Sequence, residues 1–161
     1  METKEKLKKE ITDSFGELLS NDNYPPIAGR ILGLFYTSDQ KYFTFEEIKT
    51  ALNISKSATS KALSFLNQIN EVAYTYDEHN KRLRLFYLNI EGLVKRISTV
   101  LEAYKLQSKL FEQVLNLRND DNSTLNNYIE KSILFSEDVL GFVQQKLEFH
   151  FEDILKDKII L

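Results

Sequence analysis

The sequence predicts a mainly helical chain with a small β component, an α+β fold. Three observations lead there. Apolar residues recur at helical spacing over most of the chain. Two short segments between residues 71 and 88 have strand composition instead. Gly and Pro, at 5 and 2 of 161 residues, are too few for an all-β design.

Taken in order, residues 3–20 form an amphipathic helix with Leu7, Ile11, Phe15 and Leu18 on one stripe. Pro25 and Pro26 suit the opening of a second helix running through Thr37, because proline has no N–H to leave unpaired in a first turn. Gly29 and Gly33, four residues apart, permit another helix to approach closely. Thr44 followed by Glu47 is a capping box, so a third helix starts there, with Ile48 and Leu52 facing inward. Asn53 falls at a tight turn and tolerates a left-handed backbone. Ser55 caps a fourth helix whose inward side is Thr59, Ala62, Leu63 and Leu66. Its outward side carries Lys56, Ser57, Ser60 and Lys61.

Glu71 to Tyr76 reads as a strand, Asp77 to Asn80 as a turn, and Lys81 to Leu88 as the returning strand. Arg82 and Arg84 fall on one face of that strand, Leu83 and Leu85 on the other. Two short helices around a tight turn, followed by a hairpin with basic residues, make a winged helix-turn-helix with a two-stranded wing. Short hydrogen-bonding side chains flanked by cations suit a helix that enters a DNA major groove. The expected DNA-binding residues are therefore Lys56, Ser57, Ser60 and Lys61 on the helix and Lys81, Arg82 and Arg84 in the wing. Lys61 is the expected guanine contact, and the wing cations with Lys56 are expected to include phosphate contacts.

Asn89 then caps a long helix carrying Ile90, Val94, Ile97, Leu101, Tyr104, Phe111 and Leu115 in near-heptad register. A polar loop from Asn119 to Ser123 ends it. The last helix, over residues 124–157, repeats Ile133, Leu140, Leu147 and Ile154 every seven residues, and separately Tyr128, Phe135, Phe142 and Phe149. The two series are offset by two residues, roughly 200° around the helix, so it is apolar on two sides. One side can pack on its own chain and the other calls for a twin subunit. The predicted organisation is an N-terminal dimerisation or packing helix (1–23), a winged helix-turn-helix (24–88) and a helical dimerisation region (89–161).

The blocks Ala28 to Phe35, Phe45 to Ile48 and Asn53 to Leu63 resemble the GbsR branch of the MarR-like winged-helix regulators, over roughly residues 24 to 95. Asn53 stands where that branch usually has Gly, and Ala58 where it often has a polar residue. The resemblance implies a cytoplasmic, homodimeric transcriptional regulator of double-stranded DNA, often a repressor and sometimes responsive to a small-molecule effector.

Composition limits the rival readings. The chain has no cysteine, hence no disulfide framework and no thiolate metal site, and its N-terminus is charged. No apolar run reaches the length of a membrane span. Net charge is −3, yet residues 24–88 hold eight Lys and Arg against six acids, so positive charge is concentrated where phosphates would lie. His79 and His150 are far apart in sequence; no nucleophile elbow, phosphate loop or metal-spaced cluster accompanies them. No enzyme activity, cofactor or metal is expected. The aromatic series could cage a quaternary ammonium group, although Trp, the best cage residue, is absent and core packing is the commoner use. The alternative function is a winged-helix module that contacts other proteins without reading DNA sequence.

Overall fold

The computed structural model describes residues 2–156. The expected helix end at 157 and the last residues of the region predicted to run to 161 lie outside them. The chain divides into two compact units, Met1–Gly92 and Leu93–Leu161.

In the first unit, α1 (Glu2–Ser20) packs along α2 (Pro26–Thr37) at very short range. A methyl group at Gly29 would lie 2.6 Å from the Phe15 carbonyl oxygen, and one at Gly33 would lie 2.8 Å from the Thr12 Cα. Gly29 and Gly33 thus face the Thr12–Gly16 side of α1. The expected stripe of Leu7, Ile11 and Leu18 is left exposed, a difference from amphipathic packing. Phe15, half-buried, stacks on Tyr36 at 5.3 Å.

Thr44 starts α3 (Phe45–Leu52) through a full capping box: the Glu47 N–H donates to Thr44 Oγ1 at 3.2 Å, and the Thr44 N–H donates to Glu47 Oε2 at 2.7 Å. The bond from the Thr44 N–H, followed by one from the Thr44 hydroxyl, holds the Glu47 carboxyl below its ordinary range. Asn53 ends the helix at φ 49°. Asn23 and Asn70, at φ 64° and 60°, take the same left-handed conformation after α1 and α4 (Lys56–Gln68). Ser55 caps α4 by accepting from the Ala58 N–H at 3.2 Å.

The sheet has three strands, one more than expected. β1 (Phe43–Thr44) and β2 (Val72–Tyr76) each pair antiparallel with β3 (Arg84–Leu88), giving the order β1-β3-β2. Lys81, Arg82 and Leu83 precede β3 in the turn rather than belonging to the strand. The register places Val72 opposite Leu88, Tyr74 opposite Phe86 and Tyr76 opposite Arg84. Val72 and Phe86 on this face are buried, so Leu83 and Leu85 do not form the core side of the hairpin. The core they join contains Ile31, Ile48, Ala62, Leu63 and Leu66. Ile48, Ala62, Leu63 and Leu66 are inward residues read from α3 and α4; Ile31 of α2 was not among those expected.

The chain leaves the sheet through Asn89, whose side chain accepts from the Gly92 N–H at 3.1 Å and starts α5 (Ile90–Leu117). A Cβ on Gly92 would meet the Asn70 carbonyl oxygen at 1.7 Å, so only glycine fits.

In the second unit, the rest of α5 packs with α6 (Ser123–His150), joined by a single 3-10 turn, Asp120–Asn122. Val94, Leu101, Leu140 and Leu147 form its core. The helix expected to run on from residue 124 breaks at Phe151, where φ is −127°, and α7 (Glu152–Lys156) follows. Leu140 and Leu147 are buried, whereas Tyr128, Phe135, Phe142 and Phe149 are 60–74 % exposed. Within α6 the two series therefore fall on a buried side and an exposed side.

Candidate nucleic-acid interface

Burying Thr59, Ala62, Leu63 and Leu66 turns the opposite side of α4 to solvent. Lys56, Ser57, Ser60 and Lys61 are all exposed there. Ser57 shares a 3.2 Å hydroxyl contact with the capping Ser55. One turn further on, Ser64 is also exposed and continues the polar stripe. It was legible from its spacing of four from Ser60 but was not among the expected residues. Asn67 is exposed too, yet its amide donates to the Val72 carbonyl at 3.1 Å and ties α4 to β2.

The hairpin tip is shaped by its own side chains. Asp77 Oδ1 accepts from the backbone N–H of His79 at 3.0 Å and of Asn80 at 2.8 Å, and Asn80 Oδ1 accepts from the Arg82 N–H at 3.1 Å. These Asx-type bonds present Lys81 and Arg82 to solvent at a fixed tip. Arg84 sits differently. Its guanidinium lies over the Tyr74 ring, 4.6 Å from the centroid, on the sheet face that carries Phe86.

A groove of about 660 Å³ separates α4 from the hairpin. Ser60 and Ser64 line one side, and Tyr74, Arg82 and Arg84 the other. The fold thus brings three of the seven expected residues, Ser60, Arg82 and Arg84, to one groove. Lys56, Ser57, Lys61 and Lys81 are exposed outside it.

The cations of this region share one feature. Lys6 pairs with Glu10, Lys8 with Glu5, Arg30 with Asp13 and Lys49 with Glu46. None of these pairs involves Lys56, Lys61, Lys81, Arg82 or Arg84. Among the described residues, no group of three or more His, Cys, Asp and Glu is placed to hold a metal ion, and no helix is long and apolar enough to cross a membrane.

No family model matches the chain, and no characterised protein matches it in sequence. Among solved structures, a crystal structure of a transcriptional regulator matches with a TM-score of 0.62 at 19% identity, over 90% of this chain and 98% of that one. A mutant of MepR from S. aureus bound to an oligodeoxyribonucleotide gives a TM-score of 0.43 at 19% identity, covering 81% and 88%. A mutant of MarR from E. coli gives 0.41 at 17% identity, covering 83% and 92%. The first likeness shows the fold: a mainly helical winged helix-turn-helix with flanking helices.

Proposed function

We propose that the chain is a homodimeric, sequence-specific regulator of transcription that binds double-stranded DNA through α4 and the β2–β3 wing. The observation that carries this reading is the set of five exposed cations on α4 and the hairpin, none of them in an ion pair among the described residues. Elsewhere in the first unit Arg30 and Lys49 are spent on ion pairs. Unspent Lys and Arg beside exposed serines are what phosphate and base contacts require. The fold shared with a transcriptional regulator supports the same reading.

The resemblance of the residue blocks in α2, α3 and α4 to the GbsR branch supports reading the chain as a member of that branch and as a cytoplasmic repressor. Its region 24–88 is the DNA-binding part, and the helices before and after it hold two copies together. A small-molecule effector completes the reading; the aromatic groove of about 410 Å³ between α5 and α6, lined by Tyr104, Phe111, Tyr128 and Phe135, is its candidate seat. The rival reading, a protein-contact module, needs apolar anchors on the outward face of α4, and the exposed large hydrophobic residues lie elsewhere.

Selection of duplexes from a random library, followed by fluorescence anisotropy on the selected and a scrambled duplex, tests the proposal. Preferential binding of the selected duplex is expected. Failure to enrich any sequence, with equally weak binding to both, overturns it.

A further inference from the structure

The sequence places Arg84 among the cations of the wing, but its surroundings differ from those of Lys81 and Arg82. Those two stand at the hairpin tip. Arg84 is within the strand, and the register makes it a diagonal neighbour of Tyr74 on the same sheet face. Its guanidinium stacks on the Tyr74 ring at 4.6 Å, while Tyr74 is itself held edge-on by Tyr76 at 5.8 Å and tilted against Phe86 at 5.9 Å. Stacking uses a flat face of the guanidinium and leaves its N–H donors along the edge. No carboxylate or carbonyl takes those donors among the described residues. Across the groove stand the exposed hydroxyls of Ser60 and Ser64 on α4. A forked cation on one wall and hydroxyl donors on the other are complementary to a phosphodiester.

We propose that Tyr74 is a positioning residue for DNA binding: its ring holds the Arg84 guanidinium in the groove between α4 and the wing, where Arg84 with Ser60 and Ser64 binds a backbone phosphate. The inference rests on the DNA-binding reading above and adds a phosphate seat between the two DNA-reading elements. A held arginine keeps one geometry before DNA arrives, so less side-chain freedom is lost on binding. The electrostatic attraction comes from Arg84, and the geometry from Tyr74.

The test uses the full chain and the duplex it selects, with anisotropy titrations over a range of salt for the wild type, Arg84→Ala, Arg84→Lys, Tyr74→Phe, Tyr74→Leu and the double variant Tyr74→Leu/Arg84→Ala. Arg84→Ala should weaken binding about tenfold or more and flatten the salt dependence by about one unit of slope. Arg84→Lys should keep the slope and still lose affinity, because a lysine neither forks nor stacks as arginine does. Tyr74→Phe keeps the ring and should bind as the wild type does. Tyr74→Leu should weaken binding about threefold or more with the slope retained, and should have no further effect once Arg84 is alanine.

Tyr74 is 36 % exposed, so this change is mild for the fold, and thermal melting checks that. Additive losses in the double variant overturn the proposal by making Tyr74 a general structural residue. Wild-type affinity for Arg84→Lys, or equal losses for Tyr74→Phe and Tyr74→Leu, also overturn it. If the wild type binds no duplex at all, the DNA-binding reading fails first and this seat goes with it.

Discussion

Lys61 shows how much a single position can reveal. Its outward placement was legible because Thr59, Ala62, Leu63 and Leu66 fix the inward side of α4, and the structure buries those four. Lys61 is exposed and in no ion pair among the described residues. As a base contact, Lys61→Ala should cost about 1–3 kcal/mol on the selected duplex and much less on random DNA. Anisotropy on both duplexes at one salt concentration separates the cases; equal losses would make it a phosphate contact. Glu71 is the opposite example, for nothing in its local sequence marks it as buried. It lies at the junction of α4 and β2, is 2 % exposed, and accepts from the Tyr24 hydroxyl at 2.5 Å. Burial pushes its carboxyl up to about 7. A raised carboxyl means that the folded state keeps a proton the unfolded chain has released. Its stabilising contribution is therefore complete below the ordinary carboxylate range, and is lost as the pH rises through about 7. Glu71→Gln should remove that loss, raising the melting temperature above neutral pH by an amount equivalent to on the order of 3 kcal/mol. Melting curves from about pH 5 to about pH 8 are the check. Parallel curves for the variant and the wild type would refute the effect.

Elements were legible where their signals are local. The starts of α3 and α4 follow from one threonine and one serine, each bonded to a backbone N–H three residues on. β1 was not legible, because two residues cannot display an alternating pattern. The packing side of α1 was missed for another reason. Hydropathy marks the large side chains, whereas close approach to Gly29 and Gly33 selected the small Thr12 and Gly16. The break at Phe151 was hidden because the seven-residue spacing of Leu147 and Ile154 runs across it. In the hairpin, alternation separated Arg84 from Leu85 correctly but could not say which side meets the core; Val72 and Phe86 decide that. The tip itself is an element whose function can be tested apart from Arg84. Replacing Lys81 and Arg82 together by Ala should weaken binding to every sequence alike and reduce the salt slope by about two units. An unchanged slope would mean that the hairpin tip does not meet phosphate, whatever happens to affinity.

At the scale of the molecule, the unresolved demand is exposed apolar surface. Tyr128, Phe135, Phe142 and Phe149 repeat along one side of α6, and together they expose an aromatic area on the order of 500 Å². That is as large as the biggest apolar patch of an ordinary monomer, and Leu7, Ile11 and Leu18 add a separate stripe on α1. A second copy of the chain would cover such surfaces and would also supply the second DNA-reading half. The structure separates two substitutions that the sequence alone would treat alike. Leu140 is buried in the core of its own unit, so Leu140→Asp should destabilise the fold itself. Phe142 is exposed, so Phe142→Asp should leave the helices folded and act only on association. Light scattering at micromolar concentration should give twice the chain mass for the wild type and close to the chain mass for Phe142→Asp, with helical circular dichroism retained. The wild type should also melt at a temperature that rises with protein concentration, and the variant should not. A monomeric wild type would remove the dimer. A Phe142→Asp protein that stays dimeric would move the interface off this side of α6 and leave α1 as the surface to test next.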